Sequence, residues 1–368
     1  MNTPAPALSP QSRLISLDAL RGFDMFWIAF GEKIVEILNE KYKWGIVEWL
    51  HHELQHPEWN GFTFYDLIFP LFMFLAGVSF TFSLSKRRAQ GMSDASLHGH
   101  ILIRGLLLVL LGCIYNGLLL FDFENQRYPS VLGRIGLGYM GGAFIALHFQ
   151  TKGRIIWAAA ILLGYWIFMK YIPVPGVGAG LLERGETWSG YLDQRILPGR
   201  LYKEVQDPEG LISTIPAVVN VLAGIMAGTW LQRQDKTGYE KVGFMALAGL
   251  VCWGAGKIWD FNFPINKNLW TSSFVLVTVG WSLMFLALFY LVIDVWKIRF
   301  WTLFFVVIGA NSLFIYLAGS LIDFNAIAAL LIRNEEKWLH PMLITGAGLI
   351  LKWLVLYYMY RNKIFLRI

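Results

Sequence analysis

Apolar residues fall in long blocks along this chain, and each block approaches the ~20 residues needed to cross a bilayer core. Ten spans are predicted, at 17–38, 64–84, 101–121, 131–149, 154–172, 213–232, 241–257, 269–293, 300–322 and 340–360. A shorter stretch, Asn325 to Ile332, has the length of an interfacial helix. The pattern predicts an all-α polytopic membrane bundle of about ten helices, built as one unit over 1–368. One set of connecting loops and the C-terminus hold Arg13, Lys86-Arg87-Arg88, Lys152, Arg154, Arg233, Lys236, Lys241, Lys297, Arg299, Arg361, Lys363 and Arg367. The alternate loops are longer and carry acids such as Glu183, Glu186, Asp207, Glu209, Glu335 and Glu336. The positive-inside rule therefore predicts both termini in the cytoplasm and His56 on the opposite side. The longest loop, about 173–212, lies on that far side, and its Pro, Gly and aromatic punctuation predicts an ordered cover.

Composition strengthens the membrane reading. Of 368 residues 56% are hydrophobic and only 15% charged, with mean hydropathy +0.51, where a soluble domain would carry roughly a quarter charged. The net charge of +6 is accounted for by basic loops, and no basic, aromatic-interleaved surface segment points to nucleic acid. Membrane lipid is the expected surroundings. Cys113 and Cys252 lie inside apolar runs and read as small core residues. Met1 to Ser12 lacks the apolar core of a cleavable signal peptide, so the first span is expected to be retained. Gly138-x-x-x-Gly142 and Gly224-x-x-x-Gly228 are close-approach patterns between helices.

Charge inside a span normally faces a cavity or a partner. Asp18 and Arg21, three apart, share a helix face and can pair. Arg104 falls near the inner end of its span, Lys352 in the inner half of the last, and Arg134 at about the depth of His56. Asn220 and Asn311 are mid-span amides. Polar groups at inner, middle and outer depths predict a passage through the bundle.

The densest chemistry is the stretch from His52 to Pro70, directly before an apolar run. His52-Glu53-Leu54-Gln55-His56 matches H-E-x-x-H, two helical zinc ligands around a general base. Pro57 ends any helix at the second histidine and no third ligand stands out, so no metal is expected. His56 instead combines with its C-terminal neighbours: Trp59, Asn60, Gly61, Thr63, Asp66, Leu67, Phe69 and Pro70 complete the pattern H-x-x-W-N-G-x-T-x-x-D-L-[IV]-F-P. In this the chain resembles the family of heparan-α-glucosaminide N-acetyltransferase and its bacterial relatives. Further likenesses are Arg13 to Gly22, Arg134-Ile135-Gly136 with Tyr139, Asp207-Pro208-Glu209-Gly210, Pro264 to Trp270, and Gly309-Ala310-Asn311-Ser312.

The resemblance implies a multi-pass enzyme of the bacterial inner membrane, with a homodimer as its expected assembly. It would move acetyl from cytoplasmic acetyl-CoA to the amine of a glucosamine-type saccharide on the far side. Such a transfer needs a base, and an imidazole suits it. By resemblance His56 is that residue, acting as base or as acetyl carrier. Asn60 is a candidate for stabilising the intermediate's oxygen, and Asp66 for orienting His56. Asn266, Lys267 and Asn268 suit saccharide hydroxyls and anionic groups, Trp59 and Trp270 suit sugar faces, and Arg134 suits the thioester end or the sugar. Arg21, Arg104, Asn311 and Lys352 are the expected acetyl-CoA contacts. Two other readings share these features: a saccharide permease, and a membrane O-acyltransferase.

Overall fold

A computed structural model describes residues 14–332 and 341–366. Arg13, the Met1–Ser12 segment, Glu335 and Glu336 lie outside them. The regular elements of the described residues are helices, with two isolated β-bridges, Arg127 to Gly199 and Val174 to Gly178. Helix α1 (Ile15–Phe26) runs through a π-helical turn, Trp27–Gly31, into α2 (Glu32–Tyr42). The short α3 (Gly45–Glu53) precedes α4 (Phe64–Ala89), α5 (Asp94–Tyr115), α6 (Val131–His148) and α7 (Thr151–Tyr171). After α8 (Trp188–Ile196) in the long loop come α9 (Thr214–Leu231), α10 (Gly238–Asp260) and α11 (Ser272–Tyr290). Helices α12 (Thr302–Ala310), α13 (Ser312–Leu321), α14 (Phe324–Leu331) and α15 (Pro341–Arg361) complete the chain.

Eight helices among the described residues are long and apolar enough to cross a membrane, or nine if α12 and α13 form one span bent by 71°. The protein is a multi-pass membrane protein. The expected first span differs for a physical reason. The continuous helix of α1 and α2 carries Asp18, Arg21, Asp24, Glu32 and Lys33, and buries Asp18 and Asp24 against the bundle. The α1 half is enclosed largely by protein, so it needs less apolar surface. Helix α14, at eight residues, is too short to cross.

Burial sorts the bundle into layers. Helices α4 and α9 are mostly enclosed, with α6 and α11 beside them. The peripheral α5, α7, α10 and α15 leave Leu106, Ile156, Val251 and Ile350 exposed, as lipid-facing helices do. Helices α4 and α9 touch backbone to backbone: a Cβ on Gly224 would lie 1.9 Å from the Phe74 carbonyl oxygen. Gly138 and Gly142 let α6 pack against Met73 of α4 and Val221 of α9, so both small-residue patterns serve packing.

Candidate functional site

Three cavities lie along one face of α4. Asp66 and Phe69 border the first, of about 360 Å³; Phe72, Ala76 and Ser79 border the second, of about 450 Å³. Phe80, Ser83 and Arg87 border a third of about 110 Å³, which shares Arg104 and Tyr139 with the second. Steps of three or four residues keep these side chains on one helix stripe. From Asp66 to Arg87 the stripe rises about 32 Å at 1.5 Å per residue, a bilayer's hydrocarbon thickness.

The first cavity contains His56, which local sequence holds in place. Glu53 Oε2 accepts the Phe64 backbone N–H at 2.8 Å, satisfying one of the open donors at the start of α4. Thr63 and Asp66 form a capping box around the same terminus, with Asp66 Oδ2 accepting from the Thr63 N–H at 3.2 Å. The other carboxylate oxygen of Asp66 lies 2.7 Å from His56 Nδ1. Asp66 is only 1% exposed, whereas the His56 side chain is 47% exposed toward the cavity mouth. An ionised carboxylate only accepts, so Nδ1 carries the proton and Nε2 presents its lone pair. Tyr65 stacks on the imidazole at 5.1 Å and donates to Glu32 Oε2 at 2.6 Å, which ties the ring to α2.

The loop from His56 to Thr63 is pinned against the turn before α11. Gly61 donates its backbone N–H to Ile265 O at 2.9 Å, and its φ of +129° is a conformation that favours glycine. Asn266 donates to Asn60 Oδ1 at 3.0 Å and accepts the Leu269 N–H at 2.9 Å. This docking sets Lys267 Nζ 2.9 Å from His56 Nε2 and 3.5 Å from Asp66 Oδ1. Burial pushes the Lys267 ammonium below the ordinary lysine range, against the opposing pull of Asp66 and Glu209.

Other walls of this cavity come from Trp59, Asn268, Tyr316 and the long loop. Trp59 donates to Leu182 O at 2.9 Å under the Arg184 guanidinium. Arg127 is held by Asp207 at 2.6 Å and by Glu209; burial works against its charge, but the two acids outweigh it and keep its pKa above the usual range. Sequence inspection did not single out Arg127, although the acid-bearing Asp207-Pro208-Glu209 motif called for a cationic partner.

The second cavity has Arg21 and Arg104 in its wall. Arg21 donates to Ser79 Oγ at 2.5 Å and lies 3.4 Å from Asp18. Arg104 packs over Tyr139 at 4.6 Å, and its buried Nε has no hydrogen-bond partner among the described residues. Gly309 and Ser312, either side of the bend at Asn311, form another wall together with Leu366.

Several expected contacts take other positions. Asn60 and the fully buried Asn266 border none of the cavities described; they brace the turn that carries Lys267. Trp270 is fully buried, donates to Asn220 Oδ1 at 3.0 Å, and offers no face to a sugar. Asn220 passes that bond on to Thr278 at 3.0 Å. Arg134 is 1% exposed behind the first cavity, stacked over Trp270 and donating to Ser213 and Gly210 O. Asn311 spends its amide on the backbone of Ile364 and Leu366, at 3.0 and 3.1 Å. Lys352 caps Ala29 O at 3.0 Å, inside the π-helical turn that loosens the helix's own ladder. It therefore stands beside Phe30, two residues along the chain from the first cavity's Ile28, and is not among the residues lining the second cavity.

The side chains of the H-E-x-x-H stretch are engaged in other ways. Glu53 faces the α4 terminus and the His52 side chain is 76% exposed. Among the described residues no group of three metal-binding side chains exists. Glu53→Ala should therefore cost about 1 kcal/mol of stability, as a lost helix cap does, and leave turnover per folded molecule intact. Thermal melts and metal content of the purified protein would check this; stoichiometric zinc in the wild type would reverse the conclusion.

Comparison with known proteins points to one family. A family profile described as "Heparan-alpha-glucosaminide N-acetyltransferase, catalytic" matches residues 13–257. The chain is similar to two curated proteins named heparan-alpha-glucosaminide N-acetyltransferase, at 27% identity for Homo sapiens and 26% for Mus musculus. Both alignments take in 98% of this chain, but only 60% and 62% of the relatives, so it spans about three-fifths of their length.

Proposed function

This chain belongs to the heparan-α-glucosaminide N-acetyltransferase catalytic family, and from that premise we propose that it transfers acetyl from cytoplasmic acetyl-CoA to the amine of a glucosamine-type saccharide on the other side of the membrane. The observation that carries the reading is the Asp66–His56 pair, 2.7 Å apart, at one end of a row of cavities that reaches arginines at the other. The carboxylate fixes the imidazole's tautomer, and Nε2 takes the proton from the attacking amine. Transfer within a ternary complex spares an acyl-imidazole from exposure to water at a half-open site. Trp59 and Asn268 line the acceptor's cavity.

The donor enters from the basic end. Arg21 and Arg104, with Arg87 below them, meet its phosphates, and the apolar wall of Phe72, Ala76 and Leu313 accommodates the pantetheine arm. Leu366, hooked by Asn311, closes this cavity from the side.

The test is transfer of labelled acetyl from acetyl-CoA to glucosamine by the purified protein in lipid nanodiscs. Arg104→Ala should raise the donor KM about tenfold, as expected for a lost charge-assisted hydrogen bond, with kcat little changed. Uptake of unmodified sugar into proteoliposomes without any acyl-CoA would make the protein a permease. Label on hydroxyl oxygens alone would make it an O-acyltransferase.

A further inference from the structure

Resting on that reading, we infer that Lys267 is a catalytic residue, its ammonium holding the negative charge that develops on the thioester oxygen during acetyl transfer. Sequence position favours Asn60 for this task. Asn60, however, accepts from Asn266 and borders none of the cavities described. Lys267 stands where the chemistry needs a donor. Its Nζ is 2.9 Å from His56 Nε2, so an amine approaching Nε2 and the carbonyl it attacks both come within reach of the ammonium.

The surroundings keep that charge in place. Asp66 Oδ1, 3.5 Å away, is a counter-ion buried at the α4 terminus. The backbone beneath Lys267 is fixed by three hydrogen bonds of Asn266, to Asn60, Leu269 and Thr271. Trp270, fully buried with φ at +50°, locks the turn from the other side. The charged groups facing Lys267 are Asp66 from α4, Glu209, Arg127 and Lys203 at the cavity wall, Arg134 from α6, whose charge opposes that of the ammonium, and His56 itself. Arg127 is already committed to Asp207 and Glu209. Tyr65 donates to Glu32 and Trp59 to Leu182, so neither hydrogen is available to an oxyanion.

Atoms and charge balance through the step. The neutral amine nitrogen attacks the carbonyl carbon, a C–N bond forms, and the C=O π pair moves to oxygen beside the Lys267 ammonium. His56 Nε2 removes the proton released from nitrogen. As the C=O bond reforms the C–S bond breaks, and the thiolate takes that proton back from the imidazolium. Amide and thiol are the products, and Lys267 stays charged throughout. In the resting protein the same ammonium hydrogen-bonds to the Nε2 lone pair, and the incoming amine displaces it toward the oxyanion position.

The full chain in nanodiscs is assayed with acetyl-CoA and glucosamine as wild type, Lys267→Met and Lys267→Arg. If the wild type transfers no acetyl, it is the proposed function that fails. Given wild-type transfer, Lys267→Met should lower kcat about 10²- to 10³-fold, the usual cost of an oxyanion donor, with the acceptor KM within about threefold. Unchanged binding of CoA would show that this variant is folded. The wild-type kcat should fall at alkaline pH, as a partly buried ammonium loses its proton below the ordinary lysine range. Lys267→Arg, which stays protonated, should retain more activity than the methionine variant and lose that alkaline limb. A Lys267→Met kcat within tenfold of wild type, or a loss confined to KM, overturns the inference. An alkaline limb unmoved in Lys267→Arg overturns it equally.

Discussion

Asp66→Asn should lower kcat for acetyl transfer about 10³- to 10⁴-fold in a protein that folds normally, by analogy with the tautomer-reversing substitution in a catalytic triad. The two oxygens of Asp66 have separate duties. One accepts the Thr63 N–H at 3.2 Å, the other faces His56 Nδ1 at 2.7 Å. An asparagine keeps the first bond through its oxygen and turns its NH₂ toward the imidazole. Nδ1 must then accept, Nε2 becomes the protonated nitrogen, and no lone pair faces the acceptor amine. His56→Ala should remove transfer down to background, and the double variant should be no worse than His56→Ala alone, because the pair acts as a unit. Rates of labelled-acetyl transfer, normalised to monodisperse protein, measure all three. Turnover of Asp66→Asn within tenfold of wild type would disconnect the pair from the chemistry.

Gly224→Ala should be among the most damaging small changes to the fold. A single methyl there lies 1.9 Å from the Phe74 carbonyl oxygen, less than any real Cβ contact. That oxygen belongs to the α4 backbone and cannot rotate aside, so α4 and α9 must move apart along their whole contact. Overpacking a core costs ~1–3 kcal/mol, and here the displaced element is the helix that carries Asp66. The expected outcome is a thermal midpoint several degrees lower, with loss of monodisperse protein on size exclusion. Gly243→Ala and Gly254→Ala on α10 are the controls, since nothing lies within 4 Å of either position. They should be neutral or stabilising by up to ~1 kcal/mol through helix propensity. A Gly224→Ala midpoint equal to those controls would mean the helices are not held at this crossing.

The two expectations differ in how they were reached. The Gly224-x-x-x-Gly228 pattern already announced a tight crossing, and the structure adds which carbonyl it meets. In sequence Asp66 stands ten residues after His56, and a carboxylate at a helix N-terminus is also favoured by the helix dipole. The geometry shows that it serves both His56 and the helix terminus, one oxygen for each. Trp270, Arg134 and Lys352, singled out by side-chain type, depth or motif, make packing and backbone contacts instead. An indole, a guanidinium or an ammonium at the right depth is as useful to packing as to a ligand, and type and depth cannot tell the two apart.

From the sequence by itself came the helical membrane class, most of the spans, the small-residue crossings and the stretch around His56. Those properties are written locally: a bilayer imposes a length on every apolar block, and a helix cap or a glycine pattern is complete within a few residues. Tertiary structure alone decided that Lys267, 211 residues away, meets the imidazole, and that Leu366 closes the arginine-lined cavity. Which loops dock depends on many weak contacts summed in three dimensions, such as the bond from Gly61 to Ile265. No periodicity along the chain encodes a partner that distant, so the site's charge arrangement became visible only when the loops were in place.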